Sequence, residues 1–469
     1  MNLNFSTLDF GVIILYFIMM ILVGIYYSKK IKDAESYVVA DRSLTMKIMI
    51  GTTVATCMGA GAVMADVGFV YNVGIGAIVI IGTFHLGWIA LIFMSKRLRA
   101  SGASTLPDFL GMRFSTSTKA IAGIVTLTMM LNTTAAQMAA AGTIMDVLGL
   151  TTRDMGIIVG GIFILVLTIT GGLYSVAVTD TIQAVLLTIG CGIIVPITAY
   201  AAAGGPAEVF STVRAVNPEL LTLKGAITPI GFIGYCFVYT LSAGSHAAYS
   251  QRILASVDEK TAFWGSIWSD ILAFLISLTI LIVGFTTYKL FPGLENGEMT
   301  VPLIIAQYFP PVIKGLVMSA LIALVVSTAD SFLLLLGTTV ANDIYKILKP
   351  DTSPKQLLFL SRLATVVGAG IAILFALYGG SMFDIIRMGS AAYGAGMFVP
   401  LVCACFWKKA TTFAVNAGML VGCFSTLIWN WSLKASTGIN GVLIGAALCL
   451  LAVVVLSIAK PGKTATNNN

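Results

Sequence analysis

The chain has 469 residues, of which 58% are hydrophobic and only 10% charged. A soluble domain carries about 25% charge, so a water-facing enzyme is excluded, and the abundance of Leu, Ile, Val and Phe excludes disorder. The 27 basic residues outnumber the 20 acidic ones, yet they sit between apolar stretches rather than in a run, which argues against a nucleic-acid partner and for a polytopic protein whose partner is the lipid bilayer.

Thirteen apolar spans follow in chain order: 10–27, 47–67, 74–95, 118–143, 155–171, 177–202, 228–250, 262–288, 313–345, 357–378, 383–406, 411–431 and 439–458. Each has at least the roughly 17 residues a membrane helix needs. The first lacks a basic leader and has its Lys cluster after it, so it reads as a retained helix rather than a signal peptide. All seven cysteines lie inside spans, which predicts neither loop disulfides nor a metal site. The connections are short except for two polar stretches, 203–226 and 291–315, and a polar tail at 460–469. If the first loop is cytoplasmic, twenty Lys and Arg fall on the cytoplasmic side and six outside, with Arg387 inside a span. The positive-inside rule then places the N-terminus outside and the C-terminus in the cytoplasm, in a cell membrane.

The second span reads Gly51-Thr-Thr-Val-Ala-Thr-Cys-Met-Gly59-Ala-Gly61, and the seventh contains Gly231, Gly234, Ser242, Gly244 and His246. Five spans apart, they cross in opposite directions. A pair of Gly-broken helices at matching places in two halves points to a transporter's mid-membrane site, because a broken helix frees carbonyls that lipid cannot satisfy but an ion can. Glycines that only permit close packing are the plainer explanation for either span alone.

The ninth span carries Ser327, Thr328, Asp330 and Ser331 within five residues, costly in a membrane helix without partners. Their hard oxygens, with the Leu324 carbonyl a turn below, suit Na⁺ rather than a transition metal; a Ser/Thr packing patch is the plainer alternative.

This stretch, followed by Asn342-Asp343-Ile344-Tyr345-Lys346, resembles the signature of the sodium:solute symporter family. Thr105-Leu106-Pro107-Asp108-Phe109, Gly171-Gly172-Leu173-Tyr174 running on to Thr179-Asp180 and Gln183, and Gln251-Arg252 resemble that family too. The resemblance implies an all-α protein of 13 transmembrane helices with a LeuT-type 5+5 inverted-repeat core. Residues 1–46 would hold the first helix and its loop, 47–406 the ten-helix core, and 407–469 two further helices and the tail. It implies Na⁺ as the coupling ion, held by the carbonyls of Ala55, Met58 and Leu324 and the hydroxyls of Ser327 and Thr328. A second Na⁺ would lie among Asp180, Ser327, Asp330 and Ser331.

Departures from the family bear on the solute. Sugar carriers place amides on the second span where this chain has Cys57 and Ala62, and the 78–81 stretch of the third span is apolar, so sugar is disfavoured. Proline carriers place a Trp where Gly61 falls, which argues against proline as well. A small amino acid, carboxylate or related solute remains, with Thr56, Cys57, Gln137, Tyr239, Ser242 and His246 as candidate contacts. Tyr239 and His246 have plainer roles as packing and interhelical bonding. Asp384 and Arg387, three residues apart, are expected to pair locally, and Asp270 has no partner legible in the sequence. The expectation is a Na⁺-coupled symporter working by alternating access, with no enzymatic chemistry and no required oligomer; a transporter-like sensor or a channel on the same scaffold is the alternative.

Overall fold

The computed structural model describes residues 5–28, 39–170 and 173–459. The first-loop lysines, the Gly171-Gly172 pair and the 460–469 tail lie outside them. Among the described residues the protein is helical: α1 (Thr7–Ser28), α2 (Met46–Cys57), α3 (Ala60–Val73), α4 (Ile75–Ala100), α5 (Leu106–Arg113), α6 (Thr116–Val147), α7 (Arg153–Thr170), α8 (Leu173–Ile189), α9 (Pro206–Val216), α10 (Pro229–Gly244), α11 (Ala247–Ala255), α12 (Glu259–Leu281), α13 (Thr300–Tyr308), α14 (Ile313–Thr338), α15 (Pro354–Tyr378), α16 (Met382–Phe406), α17 (Thr412–Ser432) and α18 (Gly441–Ala459). Helix α8 continues through a π turn at Gly190–Ile194 into Val195–Ala202, and α14 through another at Thr339–Tyr345.

Local chemistry sets many of the helix starts. Side-chain oxygens of Thr105, Ser115, Asp258 and Ser381 accept backbone N–H groups at the first turns of α5, α6, α12 and α16, satisfying donors that would otherwise be orphaned. Ser353 and Gln356 form a reciprocal capping box on α15. Between α3 and α4 the chain turns at Gly74 with φ of 81°, where a Cβ would come within 2.0 Å of the Leu220 carbonyl oxygen; only glycine fits there.

Among the described residues nine helices are long and apolar enough to cross a membrane, and ten if the bent pair α2/α3 is one span. Of the other expected spans, the first and fifth also form helices, α1 of 22 residues and α7 of 18, and the seventh is split at Ser245–His246 into α10 and α11. The polar stretch 291–315 is not a simple loop, since it contains α13, whose residues Thr300 to Ala306 are all buried.

Helix α14 is the axis of the bundle. Some 89% of its most apolar window is buried, against 28% for α18, whose Leu450, Leu451 and Val455 face outward as a lipid-contacting surface does. At one end, loops carrying basic residues lock together. Arg42 donates to the Gly102, Ala103 and Leu254 carbonyls, and Arg99 to those of Ser256 and Val257. Leu44, just before α2, exchanges backbone hydrogen bonds of 3.1 Å with Ala255 and Val257, just after α11.

Candidate functional site

Both helices expected to break do so. Helices α2 and α3 meet at Met58–Gly59 with a 50° bend, which takes the carbonyls of the preceding turn out of the i→i−4 ladder; Ala55 and Met58 lie there. Helices α10 and α11 part at Ser245–His246. Gly59 packs so closely on α14 that a Cβ on it would come within 2.3 Å of Thr328 Oγ1. That hydroxyl is buried and, among the described residues, has no hydrogen-bond partner. An orphaned oxygen facing a helix break is what a small cation would satisfy. Ser327, also buried, donates its proton to Asp180 Oδ1, which leaves its lone pairs for a ligand.

A cavity of about 90 Å³ opens beside this break. At roughly 30 Å³ per water it holds about three, the scale of a small solute. All six candidate contacts (Thr56, Cys57, Gln137, Tyr239, Ser242 and His246) line it, with Met58 and Thr328. Gln137 accepts the Gly61 N–H at 2.9 Å, and its own Nε2 has no partner among the described residues; a side chain at position 61 would collide with that amide, since a Cβ there comes within 2.9 Å. His246 stacks on Tyr249 at 3.7 Å, and its Nδ1 has no partner among the described residues.

The structure adds two lining residues that sequence reasoning missed, Asp66 on α3 and Arg387 on α16. Tyr239 donates to Asp66 Oδ1 at 2.5 Å, Arg387 Nη2 lies 3.7 Å from the same oxygen, and the guanidinium sits 3.9 Å over the Tyr239 ring, a cation–π contact. The expected Asp384–Arg387 pair does not form; Asp384 engages Ser381 at the start of α16 instead. Among the described residues the buried Arg387 Nε has no acceptor, a condition that costs about 1–3 kcal/mol. One turn away from each member of this triad lies an aromatic ring. Phe69 and Phe383 stack at 4.2 Å, and Tyr235 packs on both.

Of the residues expected around a second Na⁺, Ser327 is hydrogen-bonded to Asp180. Asp330 engages Thr168 on α7. Asp180, fully buried rather than interfacial, accepts Thr52 Oγ1 at 2.6 Å and faces Arg252 Nη2 at 3.6 Å. Arg252 is itself fully buried and donates to Ser331 at 2.7 Å and Thr56 at 3.0 Å. A fixed guanidinium thus bridges Asp180 and Ser331, supplying positive charge where the sequence suggested an ion. Asp270 also gains a partner, His85 Nδ1 at 2.6 Å.

Membrane-length helices packed around two broken ones, with a polar cavity at the breaks, define a secondary transporter. The chain belongs to the sodium:solute symporter family, whose sequence pattern matches residues 37–422. It is a multi-pass membrane protein of sodium-coupled symport, not an enzyme. It is similar to the osmoregulated proline transporter OpuE of Bacillus subtilis (strain 168), 26% identical over 95% of this chain and 93% of that one. To the high-affinity proline transporter PutP of the same organism it is 27% identical, over 94% and 95%. Its fold is similar to that of a Na⁺-coupled sialic acid symporter in a substrate-bound outward-open state, at a TM-score of 0.81 and 20% identity over 99% and 100% of the two chains. Mhp1, a nucleobase-cation-symport-1 family transporter, follows at 0.60 and 13% identity, over 91% of this chain and 95% of that one.

Proposed function

We propose that this protein takes up a small amino acid, proline foremost, with Na⁺ by alternating access between two inverted five-helix repeats within a thirteen-span chain. The observation that carries the ion site is the buried, unpartnered Thr328 hydroxyl against the Gly59 break. Na⁺ binds there between the carbonyls of Ala55, Met58 and Leu324 and the hydroxyls of Ser327 and Thr328. The solute sits in the adjoining cavity, whose volume of about 90 Å³ suits a proline-sized molecule. The proline-transporting relatives outweigh the Gly61 departure, because here Gln137 occupies the space a larger residue at 61 would take. The locked basic loops face the cytoplasm and the aromatic side faces out. With Arg252 bridging Asp180 and Ser331, one Na⁺ accompanies each solute, and its entry contributes roughly 2.3 kcal/mol per 100 mV of membrane potential. Purified protein in liposomes tests this: proline uptake should follow an inward Na⁺ gradient and vanish when K⁺ replaces Na⁺.

A further inference from the structure

The cavity is lined by one negative charge, half-buried Asp66, and one positive charge, buried Arg387, and neither is fully answered by its protein neighbours. Asp66 Oδ1 takes the Tyr239 hydroxyl at 2.5 Å and faces Arg387 at 3.7 Å, while among the described residues nothing bonds to its Oδ2. Arg387 lies over the Tyr239 ring, and among the described residues its Nε–H has no acceptor. A distance of 3.7 Å is too long for a hydrogen bond, so both groups keep bonding capacity on the cavity. We propose that Asp66 and Arg387 are the specificity residues of the solute site, reading the two charges of a zwitterion. Arg387 takes the solute carboxylate and Asp66 its ammonium.

The inference rests on the symport reading above and adds the chemical class that the site selects. A zwitterion inserted here answers each protein charge with its opposite and leaves the cavity neutral. A solute with only the carboxylate leaves the free Oδ2 of Asp66 without a donor, and one with only the amine leaves the Arg387 Nε–H without an acceptor. Sites built to pair a ligand group reject analogues that lack it far more strongly than apolar pockets reject a missing methylene. Arg387 reaches the site from α16 and Asp66 from the far half of the broken α2/α3 span, so the solute's two charges also join two elements of the bundle.

The test uses three probes on nearly one skeleton: proline, pyrrolidine without the carboxylate, and cyclopentanecarboxylate without the amine. Their binding is measured by thermal shift of the purified full chain in Na⁺, and their competition by radiolabelled proline uptake in liposomes. In the wild type both analogues should bind about 100-fold more weakly than proline or worse. Arg387→Gln should weaken proline to within about 10-fold of pyrrolidine while cyclopentanecarboxylate stays poor; Asp66→Asn should do the converse. Arg387→Lys, which keeps the charge, should preserve the wild-type ranking and reports on folding. The proposal is overturned if either analogue matches proline in the wild type. It is also overturned if both variants weaken all three probes by one factor, as a purely structural gate would. Failure of the symport reading looks different: zwitterion selectivity in the thermal shift with no Na⁺-driven flux of any probe.

Discussion

Breaking the Arg252–Asp180 pair tests the least expected part of this site. At 3.6 Å and an effective dielectric of 20, two unit charges attract by about 4–5 kcal/mol. Both side chains are fully buried, and removing one partner of a buried pair costs about 3–5 kcal/mol because the other is left uncompensated. Arg252→Gln should therefore destabilise the protein by about 3–5 kcal/mol. Asp180→Asn should cost a similar amount, less what Thr52 and Ser327 retain as hydrogen-bond partners of the amide. The double variant should be more stable than the sum predicts, with a coupling energy above about 2 kcal/mol. Ordinary interhelical hydrogen bonds in membranes couple by only about 0.6 kcal/mol and at most about 1.7, so the cycle separates an ion pair from a polar contact. Equilibrium unfolding in mixed detergent and SDS micelles provides the energies. Additive single effects would refute the argument that the guanidinium neutralises Asp180.

Three further expectations follow from the same geometry. Thr328→Ala removes one oxygen of the proposed ion site and should raise the Na⁺ concentration for half-maximal uptake by roughly 5–20-fold, the equivalent of about 1–1.8 kcal/mol; unchanged Na⁺ dependence at normal expression would rule the site out. The wild-type Hill coefficient for Na⁺ should be close to one, with a flux ratio of one Na⁺ per solute, and a ratio of two measured by paired ²²Na⁺ and solute uptake would restore a second ion. Asp270→Asn strips the carboxylate from the His85 contact at 2.6 Å and should lower stability by about 1–3 kcal/mol, read by the same unfolding assay, whereas no change would make the pair incidental.

Much of the site was legible in the chain because it rests on backbone. Glycines and small polar residues mark the broken helices, and the residues flanking the breaks come to line the cavity as expected. What stayed hidden is long-range pairing. Asp66 and Arg387 stand 321 positions apart, and local spacing favoured Asp384 as the partner of Arg387 until helix capping claimed it. Arg252 was visible only as part of a motif; nothing in a linear pattern says that its side chain turns inward to Asp180. The signal that could have found all three is an ionisable residue within or next to an otherwise apolar span, since such a residue needs a partner. The seventh span is harder to see as a single crossing in the structure, because the break at Ser245–His246 divides it into two shorter helices.

The aromatic trio Phe69, Tyr235 and Phe383 has a consequence for access. Each ring is borne by the same helix as one member of the polar triad, and each sits one turn from it: Phe69 from Asp66, Tyr235 from Tyr239, Phe383 from Arg387. Rings and charges therefore cannot part independently. A tilt of α3, α10 or α16 that separates the rings also separates the charges a turn away, and on the proposed zwitterion site a solute bridging those charges would resist that tilt. On that reading the cargo would itself act as a bolt across the three helices, because opening them means first breaking its own contacts.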